Sequence, residues 1–409
     1  INYNLSESGD VLDENFEVEH FQDAESCQGC HENQYNEWSL SMHSKSMHSS
    51  LFFSYKEEAL INHPNVGDKF CSQCHNPVAY LTNTSLEEFN SVNDFQNSNL
   101  PPVIKDGIGC DICHTATGVS ETIFTDASGA ASALYKLFPG QNIKFGPISN
   151  PQENSFHQSY FLPTYESSNM CLPCHDLVIR DVEAEITFTE WDRIPGFSMF
   201  GGVSCQNCHM PEKEDGSHDH SFIGVDLDLN IPYYNNPRYY QVENMLSTAA
   251  SIEFGFLNQT LADTIFSGDS LSIPIKVESL TAHNIPSGTS FNRDFWLEVI
   301  VHNQYDTLFS SGFLQNNMDY LDYNNSDLLY FKSFLIDEDG DTTRSVMDTH
   351  DIINNSLAPY SQRFKNYSVY IPENLNGNIE IICRLLFRPF DPQFIVQHDE
   401  ELINNIPIY

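Results

Sequence analysis

Positive charge is what this chain has least of. It carries 18 Lys and Arg against 57 Asp and Glu in 409 residues, a formal net charge of -39. So acidic a surface repels nucleic acid and anionic lipid, which excludes both as partners, and its ordinary role is solubility. Long apolar runs are also lacking, since no stretch approaches the roughly 18 residues that cross a bilayer, and no membrane span is expected. Nor is there a leader at the start: Ile1 opens a polar, acidic segment in place of a basic n-region and apolar h-region, so the sequence is expected to begin at a mature N-terminus.

Cysteine, by contrast, is organised. Ten of the 11 cysteines fall into five Cys-x-x-Cys-His units: Cys27/Cys30/His31, Cys71/Cys74/His75, Cys110/Cys113/His114, Cys171/Cys174/His175 and Cys205/Cys208/His209. With 16 histidines in 409 residues, a histidine follows a given Cys-x-x-Cys by chance about 4% of the time, and five out of five is on the order of one in ten million. Zinc sites or disulfides do not require that histidine. The spacing is that of c-type haem attachment, in which the two thiols bond to the porphyrin vinyl groups and the adjacent histidine ligates the iron. Five haem c groups (Fe) are therefore expected, with His31, His75, His114, His175 and His209 as proximal ligands. Such haems are attached outside the cytoplasm, so an exported protein is expected, extracellular or periplasmic. The eleventh cysteine, Cys383, alternates with Ile379, Ile381, Leu385 and Phe387 and reads as a small core residue.

The chain divides by composition into an acidic arm (1–20), a cytochrome region (21–250) and a strand-rich region (251–409). Glu32–Ser50 holds no Pro or Gly and reads as one helix, which sets His43 about 18 Å from His31 along the axis and assigns it to a different iron. Gly107 and Gly109, ahead of Cys110, are expected to let the backbone approach the macrocycle. Residues 118–170 show no clear period. Beyond residue 268, Leu271, Ile273, Ile275 and Val277 alternate, as do Phe295, Leu297, Val299 and Val301, and Asp337–Asp341 reads as a hairpin turn. About seven strands in 140 residues point to an antiparallel β-sandwich, making the whole chain α+β.

Eleven histidines remain outside the attachment motifs: His20, His43, His48, His63, His157, His218, His220, His283, His302, His350 and His398. Methionine offers only Met170 and Met210 near those motifs. The surplus favours bis-histidine ligation, the ligation of low-potential electron carriers, over an open catalytic iron. His63, in a turn before Cys71, is a candidate for one distal position.

Several segments resemble the multihaem cytochromes related to the tetrahaem electron acceptor of hydroxylamine oxidoreductase. These are Trp38-Ser39-Leu40-Ser41-Met42-His43, Phe70–Ala79, Gly107–Thr115, and Cys205–Pro211 with His220-Ser221-Phe222-Ile223-Gly224. The loop Ala282-His283-Asn284-Ile285-Pro286-Ser287-Gly288, continuing to Phe295–Val299, is similar to a Gly-His-x-x-Pro-Thr-Gly loop of an Ig-like sandwich appended to such cytochromes, with Ala282 in place of the first glycine. The resemblance implies that His43, His157, His220 and His283 are distal ligands and leaves the fifth open among His63, His48, His20 and His218. Its members include soluble shuttles, reductases with one open haem, and cytochromes that polymerise into extracellular filaments in which a neighbouring subunit can supply a ligand. An electron carrier with no catalytic residues is the leading expectation, its partners redox proteins or other copies of itself. The alternative is a reductase of a small nitrogen or sulfur compound at one five-coordinate haem.

Overall fold

In the computed structural model the described residues are 16–64, 68–121, 132–140, 142–197, 202–256, 259–317 and 319–409. Most of the N-terminal arm, residues 1–15, lies outside them.

The cytochrome region is built from short pieces. Four attachment motifs are carried by the helices Glu25–Gln28, Lys69–His75, Cys110–His114 and Cys205–His209, and Cys171 follows the 3-10 turn Ser168–Met170. Helices of four to seven residues are too short to persist alone and depend on what they pack against. A modest core that includes Phe21, Met47, Phe53, Phe95, Ile104 and Ile112 takes in the third of them and residues flanking the first two.

The expected continuous helix after His31 is broken. It runs only from Glu32 to Ser39, and a second helix begins at Ser50 and ends at Asn62. Serine explains the break: Ser44 Oγ donates to the carbonyls of Ser39 and Ser41, and Ser41 Oγ accepts from the Ser44 N–H. Hydroxyls that bond their own backbone compete with the helical ladder. His43 therefore sits on a turn. Gly107 (φ +68°) packs against that turn, where a Cβ would collide with Ser46 Oγ and lie 3.2 Å from the His43 carbonyl. The close approach that glycine permits is thus to the His43 turn. The interval 118–170, which showed no period, contains Ala116–Glu121 paired with Ala133–Leu137, and Ile143–Gly146 in parallel with Gln158–Phe161.

Two antiparallel sheets dominate the C-terminal region. In one, Ser270–Ser279 lies between Gln362–Tyr370 and Ala250–Phe254. In the other, Asp294–His302 pairs with Glu380–Arg388 on one edge and with Thr307–Ser311 and Leu329–Phe331 on the other. Alternation does its work here: Leu271, Ile273, Ile275 and Val277 meet Phe295, Leu297, Val299 and Val301 in one buried core, with Cys383 at its margin. Asp337–Asp341 joins Ser333–Ile336 to Thr342–Thr343.

The two regions are closely joined. Phe70 and Cys71 pack with Leu335, Val346 and Met347, and the late helix Pro392–His398 places Phe394 and Ile395 against Leu51. Arg293 grips Asp226 with both terminal nitrogens, at 2.6 and 2.9 Å. Beside this pair, burial pushes the Glu185 carboxyl up to about 7 from 4.5, with Arg293 opposing and Asp226 adding to the rise. A carboxyl raised in the folded state stays protonated there, so stability is fullest below the unfolded value and declines as pH rises from about 4.5 to about 7. Urea midpoints should therefore fall between pH 5 and pH 8, and Glu185→Gln should flatten that fall. An equally steep fall in the variant would place its origin elsewhere.

Candidate haem-ligation site

Four motif histidines each face a second histidine across a narrow gap. Ring centres are 6.3 Å apart for His31 and His157, 6.2 Å for His43 and His175, 6.2 Å for His114 and His220, and 6.3 Å for His209 and His283. Two imidazoles on one iron, each with a metal–nitrogen bond of about 2 Å and about 1.1 Å more to the ring centre, are separated by roughly 6.2 Å. The gaps fit a haem iron at all four places. Direct ring stacking would bring the planes closer, and a hydrogen bond between rings would not hold three of the pairs within 25° of parallel.

Backbone carbonyls aim these rings. The Nδ1–H groups of His114, His209, His220 and His283 donate to the carbonyls of Phe145, Ile223, His218 and Asn284 at 2.8, 2.6, 2.8 and 2.8 Å. Such a bond assigns the proton to Nδ1 and leaves the Nε2 lone pair for a metal. Charge is arranged to the same end. Burial lowers His43 to about 3, with His175, Arg238 and His209 adding to the effect, and lowers His175 and His220 to about 4. These rings are neutral at pH 7, as ligation requires. Phe222, held at φ 48°, packs its ring 4.3 Å from that of His43 and 5.8 Å from that of His220. A strained non-glycine residue between two such rings marks a constrained site.

His75 differs. Its ring lies 4.7 Å from Phe52, and no histidine ring opposes it, although all 16 histidines are among the described residues. His63, the candidate from sequence, is not brought to it. His63 Nε2 is bonded instead to Asp348 Oδ1 of the C-terminal region, at 2.8 Å. His218 Nδ1–H donates to the Met210 carbonyl, 2.7 Å away, and His20 Nδ1 accepts from the Glu17 N–H. His48 keeps a buried Nδ1 with no partner.

Attachment thiols from different motifs also meet. Cys27 lies beside Cys110, Cys74 beside Cys174, and Cys171 beside Cys205, while Tyr135 lies near Cys113, Cys171 and Cys174. The fourth motif is the hub, in contact with the second, third and fifth.

One buried cation completes the fit. Arg238 is 4% exposed, its Nη1 donates to the Leu40 carbonyl at 2.9 Å, and its buried Nε has no partner. Among the described residues no carboxylate forms an ion pair with this guanidinium, which lies near His43, although Asp219 is close enough to act on it. A buried cation needs a counter-charge, and the carboxylate side chains of a haem would supply it. Sequence reasoning missed Arg238, Tyr135 and Phe52, whose roles depend on neighbours distant in the chain.

A family described as cytochrome c554 and c-prime matches residues 26–115, which include the first three attachment motifs. That match, with the five attachment motifs, supports a multihaem c-type cytochrome. Among solved structures, a penta-haem cytochrome c552 from Thermochromatium tepidum is similar with a TM-score of 0.66 at 20% identity, over 96% of this chain and 97% of that one. No curated protein matches the sequence.

Proposed function

We propose that this cytochrome is an electron-transfer protein with five haem c groups, four of them held between paired histidines. Haem iron supplies one-electron oxidation and reduction, and the chain fixes where it happens. The carrying observation is the set of four ring gaps of 6.2–6.3 Å. Two neutral imidazoles facing each other would hold a bound haem iron between them and exclude water, which suits fast electron exchange with little rearrangement. Thiol contacts linking all five motifs support a continuous path: first to third, third to fourth, and fourth to second and fifth. Low-temperature EPR of the oxidised protein should show low-spin signals accounting for four haems. Fewer than four would remove the bis-histidine assignment.

The bare His75 ring favours a second reading at that one site. There the iron is either open to a small nitrogen or sulfur compound, or capped by a histidine from another copy in an extracellular filament. Lys56, whose buried ammonium donates to the Leu86 and Glu87 carbonyls, supplies a cation near Cys71. A high-spin signal from one haem at every protein concentration, with carbon monoxide binding on reduction, supports the open site. A high-spin signal that disappears as concentration rises supports the filament. Because each copy carries -39, assembly should need salt or divalent cations to screen repulsion. The two-sheet domain is read as an Ig-like sandwich whose loop delivers His283, and the protein as exported, to the periplasm or beyond.

A further inference from the structure

His283 comes from the C-terminal domain, on the loop between strands Ser270–Ser279 and Asp294–His302, yet its ring faces His209 of the cytochrome region. Something must hold that loop across the boundary. Within its own domain the loop is tied by Thr281 Oγ1, which donates to the His283 carbonyl at 2.6 Å, and by the two-way backbone bridge between Ile285 and Leu357 at 2.9 Å. Across the boundary, one side chain makes three bonds. Glu190 Oε2 accepts from the Asn284 N–H at 3.0 Å and from Ser287 Oγ at 2.6 Å, and Oε1 accepts from Asn284 Nδ2 at 2.6 Å. Thr187 Oγ1 adds a bond to Ser287 Oγ at 2.7 Å.

Thr187 and Glu190 belong to the helix Thr187–Asp192, which is itself fixed to the fourth attachment motif. Asp176, next to His175, accepts from the Thr189 N–H and hydroxyl at 3.1 Å each, and the Phe188 N–H donates to the His175 carbonyl at 3.0 Å. One short helix thus connects the residue after His175 to the residue after His283.

We propose that Glu190 is the positioning residue that holds the C-terminal domain's histidine over the fifth site, making ligation there depend on domain contact. This rests on the reading that His283 and His209 share an iron. The carboxylate touches neither ring. It acts by denying the loop the freedom to carry His283 away, and three bonds converging on one side chain serve that purpose.

The test uses the haem-loaded protein. Glu190→Ala should leave every haem covalently attached by mass, while one haem becomes partly high-spin in the ferric EPR spectrum and the reduced protein takes up carbon monoxide at that haem about tenfold faster or more. Glu190→Gln, which keeps one acceptor oxygen, should fall between wild type and Ala and guards against an Ala variant that misfolds. His283→Ala provides the reference of one fully converted haem. If His283→Ala converts a haem and neither Glu190 variant does, the positioning role is overturned while the ligand stands. If His283→Ala itself changes nothing, the ligand assignment fails and the role of Glu190 with it.

Discussion

Cells producing the Cys171→Ala/Cys174→Ala double variant are expected to yield protein with one haem fewer and with a divided electron path. The fourth motif alone touches three others, through Cys74–Cys174, Cys171–Cys205 and the Tyr135 bridge from Cys113. Without it, the first and third sites remain in contact through Cys27 and Cys110, and the second and fifth have no partner among the motifs. Rapid-mixing reduction should change from concerted to multiphasic, with the isolated sites lagging. The fold should suffer too. The pair His43 and His175 ties positions about 130 residues apart, and a cross-link closing a loop of that length contributes on the order of 4–5 kcal/mol in the chain-entropy account. Changing Cys27 and Cys30 instead should also cost one haem, yet leave the other four connected. Equal, single-phase reduction in both variants would argue against the hub.

Local chemistry made the attachment sites readable. Five residues suffice to specify Cys-x-x-Cys-His, and no tertiary contact is needed to see it. The β-rich end was readable for a similar reason: alternation in Leu271–Val277 and Phe295–Val301 follows from the pleat, and each alternate residue is 4% exposed or less. What depended on distant partners was not readable. The helix through His43 looked continuous because nothing in its composition forbids a helix, and it breaks because the Ser41 and Ser44 hydroxyls find backbone partners at hand. His63 and His157 are separated in the sequence only by the family resemblance, which names His157 as a distal ligand and leaves His63 open. One bonds Asp348, 285 positions away, and the other faces His31, 126 positions away (157 minus 31), and no local signal separates them. The short strands between 116 and 161 escaped notice because two-stranded ladders bury too little to impose a period. Nor could the sequence reveal that Phe394, near the chain's end, returns to Leu51.

Asp294→Ala should unfold the C-terminal domain more readily than any other single change in it. Asp294 is 1% exposed and sits among Lys332 at 2.8 Å, Arg388 at 2.6 and 2.9 Å, and the Tyr323 hydroxyl. Burial alone would raise its carboxyl, but Lys332 and Arg388 prevail and hold it at about 2. Removing one member of such a cluster strands two buried cations, for which a loss of about 3–5 kcal/mol is typical. Asp391 also accepts from Lys332, at 3.1 Å, so part of the ammonium's compensation survives, whereas Arg388 keeps only the carbonyls of Asn317 and Asp319. Arg388 also lies over the Trp296 ring, 5.7 Å from its centre, a contact methionine can replace by packing. Adding Arg388→Met to Asp294→Ala should therefore recover much of the loss in calorimetry, and adding Lys332→Met should recover less. No recovery with either would mean that lost packing, not stranded charge, sets the cost. The consequence reaches the haem region. Asp294 opens the strand that follows the His283 loop, so the destabilised domain should release His283 as it melts, and a high-spin signal from one haem should rise at the same temperature as the first calorimetric transition.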